Sequence, residues 1–113
     1  MNTSRTFELR TYYCYPGRLS ALHKRFQEHT LFIWQKHGMT PMGFFTPTDG
    51  ERAADTLIYL LSFESREFAD KAWEDFKADP EWIEAKAHSE LDGAIVETVE
   101  SVFMTPTEYS TVN

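Results

Sequence analysis

Glu8, Arg10 and Tyr12 alternate within the stretch Phe7-Glu8-Leu9-Arg10-Thr11-Tyr12-Tyr13. A strand sends successive side chains to opposite faces, so this spacing puts a carboxylate, a guanidinium and a phenol in line on one face. An arginine so placed can hold a carboxylate or enolate in its fork, or stabilise an oxyanion, while the phenol donates or accepts a proton. The same spacing equally suits an internal Glu8–Arg10 ion pair that anchors the sheet or a subunit contact. A second apolar stretch carries Tyr59, Leu61 and Phe63 on one side, a wall with a single hydroxyl that suits an aromatic or polyketide-like ligand or the core of a subunit contact. His37 stands just before Gly38 at an expected helix end, where it can act as a general base or haem ligand, or complement the helix dipole. The catalytic candidates are therefore Arg10, Tyr12 and His37, and the ligand-binding candidates are Glu8, Arg10, Tyr12, Tyr59, Leu61 and Phe63.

Other chemistries find little support. His23, His29, His37 and His88 make no metal set; His29 and His37 lie about 12 Å apart along one helix, too far to share an ion. The single Cys14 excludes an internal disulfide and a thiolate cage, and reads as a free structural thiol. There is no glycine-rich phosphate loop, nucleophile elbow or Cys/His zinc spacing, so no cofactor and no metal are expected. With 18 acidic against 11 basic residues the net charge is −7, which repels a polyanion and argues against nucleic acid as a partner. No apolar run approaches the roughly 20 residues of a membrane span, and no apolar segment follows Met1–Thr6, so a cytoplasmic protein is expected.

The elements that must position these residues fit one domain spanning residues 1–113. The first strand stops at Pro16-Gly17. Leu19, Leu22, Phe26, His29, Thr30, Ile33 and His37 then recur at helical spacing, and Gly38 supplies the left-handed residue that ends the helix. Leu31, Phe32 and Trp34 fall off that stripe. Met39–Thr48 reads as an edge or bulged strand because Pro41 and Pro47 lack ladder donors. It forms a hairpin, through Asp49-Gly50, with the central strand Asp55–Glu64. Ser65 caps a helix that buries Phe68, Ala69, Ala72, Trp73 and Phe76, and Asp79-Pro80 stops it and starts another. Ala94–Met104 is the last strand.

The order is strand, helix, strand, strand, helix, strand, an α+β ferredoxin-like βαββαβ arrangement with a four-stranded antiparallel sheet. Right-handed crossovers put the helices on one face. Leu57, Tyr59, Leu61 and Phe63 are expected on the other face, beside Glu8, Arg10 and Tyr12, where the sheet of a second subunit covers them. The aromatic share, 15% of the chain, supplies both surfaces.

Several motifs in this order resemble those of the NIPSNAP family. They are Glu8-Leu9-Arg10-Thr11-Tyr12, Pro16-Gly17, Lys36-His37-Gly38, Met42-Gly43-Phe44-Phe45, Asp55 through Phe63, Asp79-Pro80-Glu81-Trp82, and the closing Met104 through Ser110. The resemblance covers nearly the whole chain and implies a dimeric α/β barrel of ferredoxin-like subunits. The chain departs from the family pattern in its central strand, where Tyr59 and Leu61 stand at positions at which the family tends to show His and Trp. The family brings no settled reaction.

The expected protein is thus a homodimer of unassigned biochemical function, binding a small apolar or aromatic molecule in its barrel. Two alternatives stand beside it: a cofactor-free monooxygenase or isomerase of the dimeric-barrel type, and a non-catalytic structural or interaction module whose barrel is filled by side chains.

Overall fold

The computed structural model describes residues 5–112. Strand β1 (Thr6–Cys14) leads through the turn at Pro16-Gly17 into α1 (Leu19–Arg25), a π-helical turn (Phe26–Thr30) and α2 (Leu31–Lys36), which run on as one helix. Strand β2 (Thr40–Phe45), a short 3-10 turn (Ala53–Asp55) and β3 (Thr56–Phe63) follow, then α3 (Arg66–Ala78), α4 (Pro80–Ser89) and β4 (Val96–Met104). The sheet order is β2-β3-β1-β4 with every neighbouring pair antiparallel, as the βαββαβ reading requires. No helix among the described residues is long and apolar enough to cross a membrane.

Local signals explain most boundaries. Ser65 Oγ accepts the Phe68 amide at 3.0 Å to start α3, and Asp79 Oδ1 accepts the Glu81 amide at 2.8 Å to start α4 with Pro80 in its first turn. Gly38 takes φ +70° where the long helix ends, a conformation closed to most side chains. The register of β2 slips between Pro41 and Gly43, the edge irregularity that its prolines forecast.

The helix running from Leu19 to Lys36 departs from a single regular stripe. Its π-helical turn inserts about one residue, which resets the phase by roughly 100°. Trp34 thereby swings under the sheet and is 1% exposed, whereas His29, centred on a regular stripe, is only half-buried. Thr30 Oγ1 donates to the Arg25 carbonyl at 3.3 Å and ties the widened turn.

The assignment of sheet faces is corrected. Leu57, Tyr59, Leu61 and Phe63 do not point at an open face; each is at most 3% exposed, packed in one core with Leu22, Phe26, Ile33, Trp34, Ala72, Trp73 and Phe76 from the chain's own helices. Glu8, Arg10 and Tyr12 go with them, because Glu8 pairs with Leu61, Arg10 with Tyr59 and Tyr12 with Leu57 across the ladder. Alternation says which residues share a face, not which face the helices take; here they take the face whose large aromatic rings fill the space between layers. The opposite face presents the smaller set: Leu9 opposite Leu60 and Val102, and Ile58 opposite Thr11 and Phe45.

Candidate functional site

Glu8 is the centre of the polar cluster and is 1% exposed. A carboxylate taken out of water is tolerated only when its oxygens are occupied. Trp73 Nε1 on α3 donates to Oε1 at 2.6 Å, while Ser101 Oγ on β4 donates to Oε2 at 2.6 Å and Arg10 Nη1 donates to the same oxygen at 3.0 Å. Glu8 thus joins β1, β4 and α3.

Arg10 extends the cluster to β3. Its Nε donates to the Tyr59 hydroxyl at 2.8 Å and its Nη2 to the Tyr12 hydroxyl at 3.3 Å, and Tyr59 in turn donates to Tyr12 at 2.7 Å. The guanidinium also lies over the Trp73 ring, 4.2 Å from its centroid. Burial alone would lower its pKa, but the Tyr12 and Tyr59 oxygens and the Glu8 carboxylate outweigh it, so the group is held above its ordinary value. Burial, followed by Tyr12, pushes the Tyr59 phenol well above its usual range, and it stays a protonated donor. Three of the five arginine N–H donors are spent inside the cluster. The Tyr12 oxygen accepts twice, and its own proton finds no acceptor among the described residues.

A groove of about 600 Å³ opens beside this cluster between α3 and β4. Glu8, Arg10, Trp73, Ser101 and Phe103 line it, with Asp70, Glu74 and Lys77 along its rim. Of the six residues expected to bind a ligand, Glu8 and Arg10 reach this groove. Tyr12 and Tyr59 stand behind Arg10 and hold it. Leu61 and Phe63 are core residues at 0% and 1% exposure, outside the groove lining. A second hollow, about 280 Å³, lies at the π-helical turn between Phe26, Leu31, Phe44 and Leu57.

His37 belongs to a different construction. Its Nε2 lies 2.8 Å from Asp79 Oδ2, which Lys36 also approaches at 2.9 Å, so the end of α2 is fastened to the start of α4. Lys36, then His37 and the Glu81 amide hold the Asp79 carboxyl down at about 2. Arg10 and Tyr12 make their hydrogen bonds with Glu8 and Tyr59, not with this clamp.

Two partners escaped the sequence. Trp73 reads from helical spacing as a packing residue, and nothing in that spacing says that its indole N–H meets Glu8. Ser101 shares the face of Val99 and Phe103 by alternation, which was the available signal for it.

A NIPSNAP family profile matches residues 7–111. Among solved structures, a NIPSNAP family protein of unknown function from Agrobacterium tumefaciens strain C58 superposes with a TM-score of 0.84 at 21% identity, covering 100% of this chain and 97% of that one. An uncharacterized NIPSNAP domain protein from Burkholderia xenovorans gives 0.77 at 22% identity over 93% and 97%. A further NIPSNAP family protein from A. tumefaciens gives 0.82 at 17% identity over 97% and 92%. No curated protein matches. These structures share the fold, and the profile runs over nearly all of the sequence, so this chain belongs to the NIPSNAP family.

Proposed function

We propose that the chain forms a cytoplasmic homodimer in which each subunit binds a small, largely apolar aromatic molecule in the groove beside Glu8 and Arg10. The observation that carries the reading is a guanidinium fixed by three oxygens, with two N–H donors left over, at the floor of a groove walled by Trp73 and Phe103. A donor already immobilised loses little freedom on meeting a ligand oxygen. Glu8, Asp70 and Glu74 outnumber Arg10 and Lys77 there, which favours a neutral ligand oxygen, such as an amide, quinone or lactone carbonyl, over an anion. The volume falls within the range of small-molecule sites.

Titration of isotopically labelled protein with a set of neutral aromatic carbonyl compounds tests this. Saturable shifts of the Trp73 indole N–H that vanish in Arg10→Lys support the site; shifts unchanged in that variant defeat it. The dimer is supported by the apolar face of Leu9, Ile58, Leu60 and Val102, which the helices leave uncovered. Light scattering should give twice the 13.2 kDa chain mass, falling to the monomer in Ile58→Arg. A wild-type monomer at micromolar concentration sinks this part of the reading.

The two free N–H donors of Arg10 at the groove floor favour one second reading, a cofactor-free monooxygenase or isomerase in which Arg10 stabilises an oxyanion and Tyr12, behind it, holds the guanidinium in place. Oxygen-dependent turnover of an electron-rich phenol, lost in Arg10→Lys, supports it. Absence of turnover across such phenols removes the monooxygenase form.

A further inference from the structure

Ser101 stands directly opposite Arg10 across the β1–β4 ladder, exposed on the groove that Glu8 and Arg10 also line. Its hydroxyl donates to Glu8 Oε2 at 2.6 Å, the short separation of an O–H held by an ionised carboxylate. Behind it Glu8 is 1% exposed and fixed from its other side by the Trp73 indole, which donates to Oε1 at 2.6 Å. Arg10 Nη1 reaches the same Glu8 oxygen as Ser101, at 3.0 Å, so hydroxyl and guanidinium flank a single carboxylate oxygen. The Arg10 side chain keeps 16% of its surface exposed, with two N–H donors unspent.

A hydroxyl on a carboxylate, that carboxylate oriented by a third group, and cationic donors alongside are the parts that acyl transfer requires. An anchoring role accounts for Trp73 and Arg10, which answer the buried charge of Glu8. It does not call for a hydroxyl exposed on the groove or for donors left over beside it.

We propose that this groove hydrolyses aryl esters, with Ser101 Oγ as nucleophile, Glu8 as general base and Arg10 as oxyanion donor. The proposal rests on the groove reading above and names its substrate and reaction. Ser101 Oγ attacks the ester carbonyl carbon while its proton passes to Glu8 Oε2, and the carbonyl π pair moves onto the oxygen facing the free Arg10 N–H groups. Collapse breaks the bond to the phenol oxygen, which takes the proton from Glu8 and leaves an acyl group on Ser101. Water from the open groove then gives a proton to Glu8 and attacks the acyl carbon. Ser101 Oγ departs with that proton, and a carboxylic acid is released. A carboxylate is a weak base, so the leaving group must be a good one, which selects phenol esters over alkyl esters and amides. Trp73 and Phe103 wall the groove with rings suited to an aromatic acyl or leaving group.

The test is release of 4-nitrophenol from 4-nitrophenyl benzoate by the full chain, with intact-mass and peptide mapping of the acylated protein. Turnover above the buffer rate is expected, with the benzoyl group on Ser101. It should fall to the buffer rate in Ser101→Ala, and kcat should drop about 100-fold in Arg10→Lys. The mapping is made on the wild type and holds even if a variant fails to fold. Release unchanged in folded Ser101→Ala, a benzoyl group found only on lysine or histidine, or no release above buffer would overturn the proposal. Benzanilide, an amide that the site should bind without cleaving, separates this from the groove reading. Saturable shifts of the Trp73 indole N–H with benzanilide but no ester turnover leave the groove and remove the hydrolysis; no shift in the wild type removes both.

Discussion

Arg10 and Arg25 are two largely buried guanidiniums, each laid over a tryptophan, at 4.2 Å on Trp73 and 5.0 Å on Trp82. Arg10 meets a carboxylate and two phenols, and its pKa is carried above the ordinary value despite burial. Arg25 meets one hydroxyl and a distant, shared carboxylate, and burial carries its pKa down. Depth and aromatic contact are alike in the two; the count of oxygens differs. A buried cation is a structural element when its neighbours supply the opposite charge and an open valence when they do not.

That contrast is open to direct attack. The largest effect is expected at Glu8 and Arg10: Arg10→Leu strands a carboxylate that is 1% exposed and should cost about 3–5 kcal/mol in urea unfolding, while the double variant Glu8→Leu/Arg10→Leu should cost less than the two single changes added together. Tyr59→Phe removes the oxygen between Arg10 and Tyr12 and should cost about 1–3 kcal/mol, with the fold retained. Arg25→Met, which replaces a poorly compensated charge by an apolar chain, should change stability by less than about 1 kcal/mol in chloride. A loss at Arg25→Met as large as that at Arg10→Leu would erase the distinction between the two arginines.

The smallest effect concerns acid. Asp79 has its folded pKa near 2 against an ordinary 3.8, so its contribution to stability is full above 3.8 and fades as the pH falls toward 2. Asp79→Asn should flatten that part of the stability profile followed by circular dichroism, and leave the Arg10 and Arg25 effects as they were.

Much of this was legible beforehand, and for physical reasons. Strand alternation gathered Glu8, Arg10 and Tyr12, and separately Leu57, Tyr59, Leu61 and Phe63, into the groups that the ladder brings together. Ser65, Asp79 and Pro80 marked helix starts because capping is a local matter. The side of the sheet was not legible, since a two-residue period is blind to which face a helix will choose. Nor were the partners of Glu8, which arrive from Trp73, 65 residues along the chain, and Ser101, 93 residues along. His37 was placed correctly at a helix end, but its contact with Asp79 depends on how α2 meets α4, beyond the reach of local pattern.

The misfit of Leu31 and Trp34 with a single stripe was the visible trace of the π-helical turn, while Phe32 stays exposed. One inserted residue makes the helix a pair of separately aimed segments. Leu22 and Phe26 answer to the sheet on the earlier heading, and Trp34 on the later one stacks with Phe44 and closes on Trp73 and Phe76. Evolution can therefore retune where α1 points, and with it Arg25, without disturbing the tryptophan on which the sheet, α2 and α3 converge.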